Sequence, residues 1–73
     1  MSYKRGRCRI KPLLKRMGRT QRWLAEQTGR TEQQISDWAN DRSLIHMDAA
    51  KNIAHYLKCG IDDLYEWAWD NDD

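Results

Sequence analysis

The chain contains few of the residues that build disulfide frameworks, metal sites or membrane spans. Its 73 residues include two cysteines, and Cys8 and Cys59 form no CxxC pair. His46 and His55 are not placed to complete a zinc ligand set with them. No apolar run approaches the roughly 20 residues that span a bilayer, and no apolar stretch follows the basic N-terminus. We therefore expect a cytoplasmic protein with free thiols, no metal site and no membrane association.

Residue groupings typical of enzymes or of multidomain chains are also missing. No nucleophile lies beside a plausible base, no glycine-rich phosphate loop occurs, and the histidines have no acidic partner at a fixed spacing. We expect no catalytic activity, no cofactor and no small-molecule ligand. With one proline, four glycines and no polar low-complexity tract, the chain shows no linker, so one small domain is predicted.

Charge is distributed unevenly along the chain, although the net charge is only +2. Residues 1–30 contain ten lysines or arginines and one glutamate, a balance of +9. Residues 31–73 contain three basic and ten acidic residues, a balance of −7. Such a dipolar chain suits a protein that meets a polyanion with one end. The alternative is a solvated surface that merely segregates charge.

Apolar side chains recur at helical spacing through most of the chain. The pattern predicts helices at about residues 10–17, 20–28, 31–40, 48–57 and 61–69. No strand is predicted, so the expected fold is all-α, with five helices in one compact domain over residues 10–70. Residues 71–73 are expected to form an acidic C-terminal tail.

Residues 1–9 carry basic charge without apolar periodicity, which predicts a flexible N-terminal arm. Its basic residues are Lys4, Arg5, Arg7 and Arg9. A basic arm can follow a line of phosphates and gain affinity through counterion release. The alternative is an untethered tail.

The stretch from Thr20 to Trp38 predicts two short helices that cross steeply at a turn around Gly29. In the second helix, Ile35 and Ala39 join Trp38 on one face. The opposite face carries Gln33, Ser36, Asp37 and Asn40. Short polar side chains with both donors and acceptors are typical of a surface that reads base edges. The alternative is a plain solvated face.

An ordered set of residues from this stretch to the end of the chain carries a resemblance. The set is Thr20-Gln21, Leu24-Ala25-Glu26, Gly29, Ile35-Ser36, Trp38, Asn40, Ile53-Ala54, Leu57 and Ile61-Asp62-Asp63-Leu64. It resembles the Cro/repressor-type helix-turn-helix family, the xenobiotic-response-element class of bacterial and phage regulators. The resemblance implies a five-helix lambda-repressor-like domain that binds double-stranded DNA, usually as a homodimer on a palindromic operator. We therefore expect a transcriptional regulator, most readily a repressor, that inserts helix 3 (about residues 31–40) in the major groove.

The same resemblance implies roles for individual positions. Residues expected to face bases are Glu32, Gln33, Ser36 and Asp37. Residues expected to contact phosphates are Gln21, Arg22, Thr31, Asn40, Arg42 and Ser43. Gln33 is the strongest candidate, because its amide can pair bidentately with adenine. Phosphates repel Glu32 and Asp37 unless a cytosine amino group, Arg30 or Arg42 partners them.

Aromatic residues near the C-terminus have no obvious place in the core. Trp67 and Trp69 are two residues apart, so they cannot both point inward from the predicted fifth helix. We expect a homodimer interface with Tyr65, Trp67 and Trp69 as candidates, which would space two recognition helices about 34 Å apart. The alternative is that both tryptophans complete the small core. A competing function is a protein-binding module on the same scaffold, such as an antirepressor or an antitoxin-like partner binder.

Overall fold

The fold combines four α-helices and a short 3-10 helix with a two-stranded β-ribbon. We describe a computed structural model that covers residues 1–71; Asp72 and Asp73, part of the predicted acidic tail, lie outside the described residues. In chain order the elements are β1 (Ser2–Cys8), α1 (Ile10–Met17), α2 (Gln21–Thr28), α3 (Glu32–Ala39), α4 (Met47–Leu57), a 3-10 helix (Ile61–Leu64) and β2 (Tyr65–Asp70).

The prediction of an all-α domain with five helices is wrong. Residues 1–9, expected to be a flexible arm, contain β1, and the predicted fifth helix is a 3-10 turn followed by β2. The two strands pair antiparallel, from Ser2 opposite Asp70 to Arg5 opposite Trp67, with a register irregularity before Cys8. Tyrosine and tryptophan favour strands, and the helix ends where Tyr65 adopts extended dihedral angles of −133° and 156°.

The ribbon has two different faces, because alternate residues of a strand point the same way and directly opposed residues share a face. One face, here called the aromatic face, carries Tyr3, Arg5, Tyr65, Trp67 and Trp69. Trp67 and Trp69 therefore share one face of a strand, and not a helix as predicted, but the expectation that they do not both point inward agrees with their exposure. Both tryptophans are exposed, and Tyr3 packs edge-on against Trp69 with ring centroids 5.0 Å apart.

The base of the ribbon is attached to the helical body by three hydrogen bonds. Arg9 N–H donates to the Leu64 carbonyl at 2.7 Å. The Cys8 N–H donates to the carboxylate of Asp41 at 3.1 Å, and the Ile45 N–H donates to the Tyr65 hydroxyl at 3.1 Å. The ribbon is thus fixed to the loop between α3 and α4.

One apolar core joins the helices, and the inner face predicted for helix 3 is confirmed. Ile35 is fully buried, and Trp38 and Ala39 are each 5% exposed. The rest of the core is contributed mainly by Ile10, Leu13, Leu14, Leu24, Ile53, Leu57 and Leu64. None of the helices in residues 1–71 is long and apolar enough to cross a membrane.

Candidate nucleic-acid interface

Local sequence signals set the angle between α2 and α3. Thr20 caps α2, its hydroxyl accepting the Trp23 N–H at 3.1 Å, and Gly29 ends that helix with a φ of 70°. A positive φ is strained for a residue with a side chain, so glycine suits this turn. Thr31 then caps α3 through a reciprocal capping box with Gln34. The buried faces of both helices point into the core, which leaves the opposite face of α3 outside.

The outer face of α3 carries the four residues predicted to meet bases, and a polar network joins three of them. Gln33 Nε2 donates to Asp37 Oδ1 at 3.0 Å, and Arg42 Nε donates to the same oxygen at 2.8 Å. Arg42 Nη2 also donates to Ser36 Oγ at 3.0 Å. Glu32 is exposed and its side chain has no hydrogen-bond or ion-pair partner among residues 1–71.

The network continues past the end of α3. Asn40 Nδ2 donates to the Ser36 carbonyl at 2.9 Å and to Ser36 Oγ at 3.2 Å. The Lys11 ammonium group in turn donates to Asn40 Oδ1. The polar network therefore comprises Lys11, Gln33, Ser36, Asp37, Asn40 and Arg42.

Pairing with Arg42 explains how the acidic side chain of Asp37 is tolerated on this face. Hydrogen bonds from Arg42 and then from Gln33 hold the pKa of Asp37 below its ordinary value of 3.8. The carboxylate is therefore ionised and paired at neutral pH. Arg30, the other expected partner, lies over the Trp38 ring at 5.9 Å instead.

The remaining residues predicted to contact phosphates lie in α2, at the start of α3 and in the loop after α3. Gln21 begins α2 and Ser43 is exposed in the loop after α3. Arg22 is exposed and pairs with Glu26 at 3.3 Å. The Thr31 hydroxyl accepts the Gln34 N–H at 3.1 Å, which leaves its own hydrogen free to donate.

Comparison with known proteins places this geometry in a family. Residues 9–70 match the model of the Cro/C1-type helix-turn-helix DNA-binding domain. The chain belongs to this family. A crystal structure from Bacteroides fragilis, of a protein provisionally described as DNA-binding, is similar to this Cro/C1-type domain. The two share 34% identity with a TM-score of 0.75, over 89% of this chain and all of the other. None of the curated proteins compared with the chain matches it.

The four basic residues of the predicted arm take separate positions in this Cro/C1-type domain. Arg5 lies over the Tyr65 ring at 5.1 Å and its Nη1 is 3.8 Å from Asp41 Oδ1. Arg9 Nη1 donates to the Asp63 carbonyl at 3.2 Å. Lys4 stands opposite Ala68 on the other face of the ribbon. Arg7 is exposed and lines a cleft with Lys11 and Asn40. The structure does not bring these four residues together as one arm.

Two residues that sequence reasoning did not select take part in the site. Lys11 reaches Asn40 from 29 positions away, so no local pattern could have revealed it. Asp41 has a φ of 60° and binds the backbone of Cys8, 33 positions away. Only the three-dimensional fold brings these pairs into contact. No cluster of metal-ligating side chains occurs in the part of the chain that the structure describes.

The dimer candidates lie on the aromatic face and take no part in the polar network. Trp67 is 47% and Trp69 is 53% exposed, whereas Tyr65 is half-buried against the core. Trp67 also lines a groove with the exposed side chains of Leu44 and Met47. These apolar residues form a continuous surface from the ribbon to the start of α4.

Proposed function

We propose that this Cro/C1-type domain is a transcriptional repressor that binds a palindromic DNA site as a homodimer. Its α3 lies in the major groove and reads base edges. The observation that carries the proposal is the polar network on the outer face of α3, which presents donors and acceptors in fixed positions. DNA base edges in the major groove offer a matching pattern of donors and acceptors.

Gln33 is the central reading residue in this proposal. One hydrogen of its Nε2 is donated to Asp37 at 3.0 Å, which leaves the second hydrogen and the Oε1 atom for a base. An adenine offers N7 and the N6 amino group to that pair of atoms. Ser36 and Asp37 lie beside Gln33, and Glu32 can accept from a cytosine N4 amino group.

Contacts to phosphates supply the affinity and fix the orientation of α3. We assign them to Gln21, Arg22, Thr31, Arg42 and Ser43. From β1, Lys4 and Arg7 have exposed side chains, and we assign them the same role. Asn40, also predicted at a phosphate, instead donates its amide hydrogens to Ser36 at 2.9 and 3.2 Å.

The homodimer interface in this proposal is the aromatic face together with the adjoining groove. Among residues 1–71 the exposed large apolar side chains are Met1, Tyr3, Leu44, Met47, Trp67 and Trp69. All except Met1 belong to this surface. A two-fold interface uses the same patch on both copies, and exposed aromatic residues commonly anchor such interfaces. The dimer would present two α3 helices to sites about 34 Å apart.

A protein-binding role for the same scaffold is the competing function. The exposed carboxylate of Glu32 and the aromatic face favour it. It predicts that α3 contacts another protein and that duplex DNA is bound weakly or not at all.

Selection from random duplexes, followed by salt titration of the selected sequence, separates the two functions. We expect a palindrome whose half-sites are one helical turn apart. We also expect log K to fall with log salt by about 0.9 for each phosphate neutralised. Failure to select any duplex, or binding that is flat with salt, would contradict the DNA-binding proposal.

A further inference from the structure

The contact between Lys11 and Asn40 lies at a cleft where α1, the end of α3 and β1 meet. Asn40 is the C-terminal cap of α3, and its backbone N–H donates to the Ser36 carbonyl at 3.0 Å. Its side-chain Nδ2 also donates to Ser36, so the amide is oriented with Oδ1 toward Lys11. The position of the Lys11 ammonium group is thus tied to the recognition helix.

Lys11 retains most of its capacity to bind an anion. An ammonium group has three donors, and one of them is used by Asn40. The Lys11 side chain is exposed, as is Arg7 on the same cleft. Two cations therefore lie next to the end of α3 that adjoins the Arg42 loop.

The acidic groups of the same cleft are Asp41 and Glu66. The Asp41 carboxylate accepts the Cys8 N–H at 3.1 and 3.3 Å and lies 3.8 Å from Arg5, so its charge is already partnered. Glu66 is the remaining negative charge against the two cations. The positive charges of Arg7 and Lys11 outweigh the negative charge of Glu66, so the cleft favours the binding of an anion.

We propose that Lys11 and Arg7 each contact one of two neighbouring DNA phosphates at the end of the recognition helix, and that Asn40 is the positioning residue that holds Lys11 there. This inference rests on the proposed binding of DNA through α3. A phosphate contact fixes the register of a protein on the duplex without reading sequence. Asn40 therefore acts through Lys11, because its own amide hydrogens are donated to Ser36.

The test measures binding of the full chain to its selected duplex over a range of salt concentrations. Lys11→Ala and Lys11→Gln should each lower the salt slope by about 0.9 per protomer and weaken all duplexes alike. Lys11→Gln keeps a donor for Asn40 but removes the charge. Lys11→Arg should keep the wild-type slope. The matched control is Lys51→Ala, an exposed lysine in α4, which should leave the slope unchanged.

A double-mutant cycle tests the role of Asn40. Asn40→Ala should weaken binding several-fold more in the wild-type background than in the Lys11→Ala background, and the difference between the two losses measures the coupling of Asn40 to Lys11. Any effect of Asn40→Ala on folding is common to both backgrounds and cancels in the comparison. Equal losses in the two backgrounds would overturn the positioning role.

The outcomes separate this inference from the DNA-binding proposal itself. If the wild-type chain binds no duplex, the proposed function fails. If it binds with a steep salt dependence and the Lys11 variants behave like Lys51→Ala, only the role of Lys11 is overturned.

Discussion

Arg42 and Gln33 donate to the same oxygen of Asp37, at 2.8 and 3.0 Å. One carboxylate thereby orients a side chain proposed to read a base and another proposed to contact a phosphate. In the proposed complex with DNA, Asp37 would therefore influence recognition even without touching a base. This arrangement differs from the simple picture in which every polar residue on α3 meets DNA directly.

Replacing Asp37 with asparagine should reduce discrimination more than affinity. Asp37→Asn removes the charge that holds Arg42 and weakens the hold on Gln33, but it also removes a negative charge that phosphates repel. We expect the affinity ratio between the selected duplex and a single mismatch to fall several-fold, with little change for unrelated DNA. Competition binding measures both quantities, and an equal loss for every duplex would contradict this role.

The Asp37 network should be insensitive to pH around neutrality. Because its pKa is lowered in the folded chain, the carboxylate is ionised above its ordinary value of 3.8. The contribution of the ionised Asp37 carboxylate to the stability of the fold is fully present above pH 3.8. It is lost only as the pH falls through the lower pKa that Asp37 has in the folded chain. Titration of Asp37 by NMR should give a midpoint below that of an unpaired aspartate. A midpoint at or above the ordinary value would show that Arg42 does not pair with it in solution.

Gln33→Ala should relax specificity at one base pair, at a cost of about 1 to 3 kcal/mol against the preferred base. Gln21→Ala should instead weaken all duplexes alike, because a phosphate contact carries no sequence information. The matched control is Gln27→Ala, at an exposed position of α2, which should change neither the specificity nor the affinity for DNA. Selection repeated with each variant measures the change. An unchanged consensus for Gln33→Ala would remove Gln33 from the reading residues.

The helix-turn-helix could be predicted because its signals are local. Thr20, Gly29 and Thr31 lie at the ends of the helices that they cap, and apolar residues recur within each helix. Both features are visible in a short window of sequence. The core face of α3 followed from the same periodicity.

The ribbon was missed, because the partner of each strand lies at the other end of the chain and β1 shows no apolar alternation. In β2 the aromatic residues Tyr65, Trp67 and Trp69 do alternate with other residues, which is typical of a strand, but they were interpreted as the end of a helix. The interpretation of Trp67 and Trp69 therefore assumed helical geometry, whereas both residues lie in a strand. In a strand, residues two apart share a face, and the two indoles form one surface.

Arg7→Ala should reduce the salt slope of DNA binding by about 0.9 per protomer, because Arg7 is exposed beside Lys11. Arg9→Ala should leave the slope unchanged, since Arg9 donates to the Asp63 carbonyl at 3.2 Å. Its effect should appear in thermal unfolding, as a small loss of stability. Salt titrations and melting curves of both variants check that Arg7 acts in DNA binding and Arg9 in stability. Equal changes in slope would mean that Arg7 and Arg9 contribute alike to the contacts with phosphates.

Trp69→Ser should weaken the homodimer without unfolding the protomer. Trp69 is 53% exposed, and its indole donates to Asn71 Oδ1 at 2.6 Å and packs on Tyr3, outside the buried core. Truncating an aromatic anchor of an interface commonly costs about 2 kcal/mol or more, roughly a thirtyfold rise in the dissociation constant. Sedimentation at tens of micromolar, with and without the palindromic duplex, measures the assembly.

Glu66→Ser is the control for this measurement. Because Glu66 lies on the opposite face of β2, its replacement should leave the dimer intact. A wild-type chain that sediments as a monomer in both conditions would refute the aromatic interface.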